Sequence, residues 1–273
     1  MKILSWNVAG LRARIKKNDI MQALFSNINE NTGEYNYFDI ICLQETKCTE
    51  NQVTLPCEIS IRYPYRYWNS SDGTTQRKGF SGTSIWCKEK PIQHLETPEF
   101  DHEGRIIALE FKEFILINVY VPNSQAFENE RYKFREIWNT NFGKYIQELT
   151  LKYKKNLIIC GDMNVAHQDI DICDPKRKKN KVPGFFDNER TDFTCLLESS
   201  NLIDIFREKN KLTQVSTYWS NFLKAPRTKE NGWRIDYFLA SKDLYEKNII
   251  KDINILMEIM GSDHCPLLLE LSD

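Results

Sequence analysis

With 273 residues, 41 % of them hydrophobic, the chain is long enough for one large domain or two small ones around a substantial core. A formal net charge of −1 excludes a uniformly basic nucleic-acid binder, so a polyanion site has to come from local patches. Eight cysteines without a C-x-x-C pair and four histidines without metal-ligand spacing exclude a disulfide framework and argue against a zinc enzyme.

In chain order, Lys2 to Val8 reads as a first strand, with only two apolar residues between Lys2 and Ser5, so no secretory signal is expected. No apolar run is long enough to cross a bilayer, and no membrane partner is expected. Asn7 closes the strand, and a basic run follows (Arg12, Arg14, Lys16, Lys17). Ile20, Met21, Leu24, Phe25 and Ile28 then keep helical spacing. Asn29 to Tyr37 reads as a polar loop, and Asp39 to Leu43 as a buried strand running into Gln44-Glu45-Thr46-Lys47. Residues 48 to 80 read as irregular and aromatic-rich, ending in Gly79-Phe80.

Strands are expected at Gly82 to Lys88, Arg105 to Phe111 and Phe114 to Val121, the last placing Tyr120 and Asn123 at its exit. Glu128 to Leu149 reads as a helix whose stripe of Phe134, Trp138, Phe142, Tyr145 and Leu149 belongs to the core. The central stretch is Asn156 to His167. A run of Leu157, Ile158, Ile159 and Cys160 is broken by Gly161, with Asp162 and Asn164 following at i and i+2. A charged loop follows from Asp169 to Pro183, with Lys176, Arg177, Lys178, Lys179 and Lys181; a solvated loop, a DNA-facing loop and a targeting signal all fit it. A helix is expected from Thr191, a strand at Leu202 to Phe206, another at Gly232 to Leu239 and a last one at Leu267 to Leu271. No linker interrupts this series, so one domain over residues 1–273 is expected. Cys42, Cys87 and Cys160 sit in apolar patterns as small hydrophobes, which suits a reducing, intracellular compartment.

Polar side chains recur where strands end: Asn7, Glu45, Tyr120, Asn123, Asp162, Asn164, Asp236, Asp263 and His264. One or two would be a turn network, but so many in one context suit phosphate-ester hydrolysis. Carboxylates and amides are hard ligands for Mg²⁺, an Asp can activate water, and an imidazolium stabilises phosphoryl charge.

The motifs SWNVAGLRAR, LQETK, NVYVPN, GDMNVAH, GWRIDYFL and GSDHCP resemble those of the exonuclease III family of abasic-site (AP) endonucleases, in order and along essentially the whole chain. The resemblance implies an α/β fold: a four-layer sandwich of two mixed β-sheets packed face to face with flanking helices, the DNase I-like architecture. It implies Mg²⁺-dependent cleavage of duplex DNA 5′ to an abasic site, with Mn²⁺ as a substitute metal and with 3′-to-5′ exonuclease and 3′-phosphodiesterase activity alongside. It implies a monomer, nuclear or nucleoid according to the host.

By the same resemblance Glu45 is the principal metal ligand, with Asn7 and Asp263. Asp162 activates water beside Asn164, Tyr120 and Asn123 contact the scissile phosphate, and His264 binds it under orientation by Asp236. Tyr218, Trp233 and Leu239 correspond to an apolar pocket for the flipped-out sugar. Arg12, Ala13, Lys17, Lys47, Gly79 and Phe80 fall where the family grips DNA, with Phe80 as a wedge. Two departures stand out: Ala9 occupies a position often Asp or Asn in the family, and no arginine follows Asn123. Asn221-Phe222-Leu223 is a candidate apolar wedge. Two other readings stay open: a phosphoesterase of the same fold acting on another substrate, and a catalytically weak DNA-binding member.

Overall fold

Alternating short apolar runs and turns fold here into two six-stranded sheets. The computed structural model describes residues 1–25, 37–77, 79–220, 226–228 and 231–272. In chain order the first part comprises β1 (Lys2–Asn7), α1 (Leu11–Lys16), α2 (Asp19–Phe25), β2 (Ile40–Gln44), α3 (Cys57–Arg62), β3 (Tyr65–Asn69) and β4 (Thr83–Cys87). The middle comprises β5 (Gln93–His94), β6 (Ile106–Glu110), β7 (Phe114–Tyr120), α4 (Glu130–Tyr153), β8 (Asn156–Asp162), α5 (Pro175–Lys178) and α6 (Asp187–Ser199). The rest comprises β9 (Leu202–Asp204), α7 (Ile205–Lys209), β10 (Asp236–Ser241), α8 (Lys242–Glu246), β11 (Ile250–Ile255) and β12 (Leu267–Leu271).

One sheet runs β11-β12-β1-β2-β4-β3 and the other β5-β6-β7-β8-β10-β9. Each contains a parallel pair, β1 with β2 and β7 with β8, flanked by antiparallel neighbours. Parallel strands share a direction, so the exits of β1 and β2 lie together, as do those of β7 and β8. The antiparallel partners β12 and β10 begin at the same end: Leu267 pairs with Ser5, and Asp236 with Asp162. This topology carries polar residues from distant motifs to one edge of the sandwich.

Side-chain alternation then decides the layers. Ile3, Ile40 and Cys42 of the first sheet meet Ile107, Leu116, Ile158 and Cys160 of the second in an inter-sheet core. The opposite face of the second sheet (Ile117, Ile159, Leu239) is covered by Trp138, Phe142 and Ile146 of α4 and Phe193 of α6. The outer face of the first (Leu4, Trp6, Ile41) is covered by Leu11, Ile20, Leu24 and Ile59. The result is the expected four-layer α/β sandwich.

A polar bridge crosses the apolar interface between the sheets. Gln44 donates to Asn118 Oδ1 at 2.7 Å, and Asn118 donates to the carbonyls of Leu43 and Ser84. Such a buried pair is stable only because these donors find acceptors.

The structure corrects several boundaries. Residues 48 to 80 are not wholly irregular, since they contain α3 and edge strand β3. The strand at Leu202 stops at Asp204, whose carboxylate accepts from Arg207 N and so caps α7. The strand read from Gly232 begins only at Asp236, because residues 232–235 are held by loop partners, Arg234 N donating to Asp171 O. The basic run after Asn7 is itself the short helix α1, and α4 runs on to Tyr153. Ile28, most of the 29–37 loop and the wedge candidate Asn221-Phe222-Leu223 lie outside the described residues.

Gly161 shows how tightly the second sheet is built beside the site. Its φ of 136° is disfavoured for other residues, and a Cβ there would collide with the Val119 carbonyl oxygen. Gly161→Ala is expected to cost about 3 kcal/mol or more and to lower Tm by roughly 6–12 °C. A calorimetric scan checks this; an unchanged Tm would show that β7 and β8 can separate locally at no cost.

Candidate active site

The strand ends converge on a cleft of about 420 Å³. It is lined by Glu45, Tyr120, Asn123, Asp162, Asn164 and His264 on its polar side and by Tyr218, Trp233 and Val182 on its apolar side. Asp263 and Lys178 also line it. A larger surface cleft of about 720 Å³ lies along α4 and residues 93–100, and none of these polar groups line it.

Asp162, 2 % exposed, is the centre of the network. Asn7 Nδ2 donates to its Oδ2 at 2.9 Å, and the Asn164 amide N–H donates to its Oδ1 at 2.8 Å. Asn164 in turn accepts from Asn123 Nδ2 at 3.0 Å. His264 Nε2 is 3.8 Å from Asp162 Oδ2, and its Nδ1 is 2.8 Å from Asp236 Oδ2. Asp236 is held from behind, as the N–H groups of Ile235 and Asp236 both donate to Thr217 Oγ1 at 3.1 Å. Arg234, two residues before Asp236, pairs instead with Asp171 and Asp204.

Burial, then the neighbouring Asp236, pushes the Asp162 carboxyl up to about 7, against the pull of His264. Burial works the other way on His264, but Asp236, and then Asp162 and Asp263, overcome it and raise the imidazole to about 10. At neutral pH the His264 imidazole is therefore protonated, and it lies between the side chains of Asp236 and Asp162. Burial alone would raise Glu45, yet Lys47, whose Nζ lies 2.6 Å from Oε2, takes the net shift downward, aided by the Tyr120 hydroxyl. The Tyr120 hydroxyl itself is pushed well up by burial and by Glu45, so it stays a donor.

Asp162, Asp236 and His264 bring ligand atoms within 4.8 Å of one another, a cluster that could hold a metal ion. A protonated imidazole offers no lone pair, so this trio is better described as an ion-paired proton network. The oxygen donors Glu45 and Asp263 on the cleft wall fit a hard cation better, and Glu45 is ionised and partly exposed. Asn7 is fully buried and turns its nitrogen to Asp162, while its oxygen already accepts from the Ala9 N–H at 3.0 Å.

The basic patch assembles beside the cleft. The amides of Gly10 and Leu11 donate to the carbonyls of Glu45 and Thr46, and the amide of Lys47 donates to that of Ser81. This joins α1, carrying exposed Arg12 and Ala13 and followed by exposed Lys17, to Lys47 and the Gly79-Phe80 turn. Phe80 lies 5.8 Å and 5.9 Å from the guanidinium groups of Arg105 and Arg131. In the charged loop, Lys176, Arg177, Lys179 and Lys181 face solvent, whereas Lys178 turns toward the cleft.

Leu239 does not belong to the pocket. It is fully buried on the α4 face of β10 among Ile159, Trp138 and Phe193. The motif GWRIDYFL changes from loop to strand at Asp236, which sends Leu239 into the core. The residues not anticipated from sequence are Thr217, Gln44, Asn118 and the clamp Arg135. Arg135 is 3 % exposed and donates to the carbonyls of Pro122 and Met163, tying together the two loops that carry Asn123 and Asn164. The available signal for Arg135 was an arginine three residues before Trp138, on the apolar stripe of the helix.

Residues 4–264 match the model of the Endonuclease/Exonuclease/phosphatase family. The chain belongs to this family. An exodeoxyribonuclease from Bacillus subtilis is 41 % identical over 270 residues, covering 98 % of each chain. The DNA repair nuclease APEX1 of Danio rerio is 40 % identical over 278 residues, covering all of this chain and 82 % of the relative. Among solved structures, an AP endonuclease from Archaeoglobus fulgidus superposes with a TM-score of 0.81 at 26 % identity over the full length of both chains. No helix among the described residues is long and apolar enough to cross a membrane.

Proposed function

We propose that the protein is a Mg²⁺-dependent AP endonuclease that cleaves duplex DNA 5′ to abasic sites, acting as a monomer in base-excision repair. One observation carries the reading: a buried carboxylate and a buried imidazolium, Asp162 and His264, sit 3.8 Å apart in a cleft with an aromatic wall. The DNA-cleaving names of relatives that match almost the whole chain support it.

In this reading Asp162 takes a proton from the attacking water. Asn7 and the Asn164 amide fix the carboxylate's orientation, and Asp236 fixes that of His264. His264, Tyr120 and Asn123 donate to the phosphate oxygens as charge develops on them. Glu45 and Asp263, with Asn7, would hold Mg²⁺, which would supply further charge stabilisation to the phosphoryl group. Tyr218 and Trp233 present an apolar wall suited to a deoxyribose without a base. The patch of Arg12, Ala13, Lys17, Lys47, Gly79 and Phe80 holds the backbone alongside.

The test is incision of a duplex containing one tetrahydrofuran abasic analogue, with Mg²⁺ and with EDTA. Cutting at the analogue only with metal is expected. Binding without cutting would favour the weak DNA-binding reading, and neither binding nor cutting would favour another phosphoester substrate. Glu45→Gln is expected to shift the Mg²⁺ dependence of incision at least about tenfold to higher concentration. An unchanged titration would remove Glu45 from the metal site.

A further inference from the structure

Among the described residues that line the cleft, Lys178 is the one lysine or arginine. Two contacts hold it there. Its Nζ is 2.6 Å from Cys173 Sγ, and it lies over the Trp233 ring, 5.2 Å from the centroid. Trp233 packs edge-on against Tyr218, so the amine stands at the aromatic wall and not on the phosphate-facing side. Lys47, by contrast, is clamped to the Glu45 carboxylate. The partners of Lys178 are a thiol sulfur and a ring, and among the described residues no carboxylate lies within ion-pair distance of it.

A primary amine beside a pocket for a bare deoxyribose is a nucleophile beside an aldehyde, because an abasic sugar opens to a free C1′ aldehyde. We propose that Lys178 gives the protein a second activity, Schiff-base formation with the abasic sugar followed by β-elimination on its 3′ side. The inference rests on the reading that the Tyr218–Trp233 cleft receives that sugar. Lys178 first loses a proton to water. The free amine adds to C1′, and the carbonyl oxygen leaves as water, giving an iminium. Loss of a C2′ proton to water then forms the C2′–C3′ double bond as the C3′–O bond breaks. The downstream strand departs with a 5′-phosphate. Hydrolysis of the imine restores Lys178 and leaves an unsaturated aldehyde on the upstream strand. No oxidant, reductant or metal enters these steps.

The experiment uses a duplex with a natural abasic site, made by excising uracil, incubated with the protein in EDTA and sodium cyanoborohydride. The expected result is a covalent protein–DNA adduct mapped to Lys178 by peptide mass spectrometry. It should be absent with the tetrahydrofuran analogue, which has no aldehyde. Lys178→Arg keeps the positive charge but cannot form the imine, and Lys178→Ala removes both. Each is expected to lower the adduct about tenfold or more, with Tm confirming that each variant folds. No adduct from the wild type, an adduct on another lysine, or an undiminished adduct in Lys178→Arg would overturn the proposal. Mg²⁺-dependent incision of the tetrahydrofuran duplex is run in parallel. Incision without an adduct overturns the second activity alone, and an adduct at Lys178 without incision supports it while overturning the endonuclease reading.

Discussion

Asp162→Asn is expected to lower kcat for abasic-site incision by about 10³-fold or more while leaving the protein folded. The two halves of this expectation have one cause. Burial and Asp236 make ionised Asp162 costly, so its carboxyl stands at about 7 against an ordinary 3.8. Whatever stability the group contributes is therefore present below about pH 4 and lost as the pH rises through about 7. An amide carries no such cost. In EDTA, Tm of Asp162→Asn at pH 8 is expected to equal or exceed that of the wild type, with the two converging at pH 4. Stability retained with activity gone is the signature of a group held in a strained state for chemistry. A variant that cut at the wild-type rate would remove Asp162 from the reaction, and one that simply unfolded would make it a structural residue.

Asp236→Asn tests the other half of the proton network. The wild-type profile of kcat/KM against pH is expected to rise near pH 7, as Asp162 ionises, and to fall near pH 10, as His264 loses its proton. Asp236 raises both groups, so its neutralisation should move both limbs to lower pH and lower the maximum about 10²-fold or more. His264 also carries a stability signature of its own. Its contribution is complete below its ordinary value of 6.5 and lost as the pH rises through about 10. The variant should therefore lose stability relative to wild type at pH 7 to 8. If the alkaline limb stayed in place, His264 would not be the group whose protonation the reaction needs.

Several candidate site residues were legible from sequence because they close strands whose apolar runs are unambiguous, whereas Asp236 opens β10 and His264 precedes β12. Asp162 follows Leu157 to Cys160, Glu45 follows Ile40 to Leu43, and Tyr120 ends the run from Phe114. The same logic misplaced Leu239, since a motif read as one strand contains a loop-to-strand change at Asp236 that only the partners of residues 232–235 reveal. The short elements β3, β5, β11 and α8 were missed or left unassigned. They are two to six residues long, and their apolar content is too small to show a period.

The sequence implied the four layers through the resemblance of its motifs, and by itself it determined the apolar strand runs, the polar side chains that end them as candidates for the chemistry, and the lack of C-x-x-C pairs. The strand runs and the residues that end them follow from residue type and from a local period of hydrophobicity, both of which are written along the chain. Only the tertiary structure decided the pairings of Asn7 with Asp162, Lys178 with Cys173, and Arg234 with Asp171, while the His264–Asp236 pair is the one the resemblance implied. It also decided the charge states, because a carboxyl at about 7 and an imidazole at about 10 depend on burial and on neighbours distant in sequence, Asp236 beside Asp162 and both carboxyls beside His264. The physical reason is that periodicity is a local property of the chain, whereas desolvation and Coulomb interactions depend on distance in space.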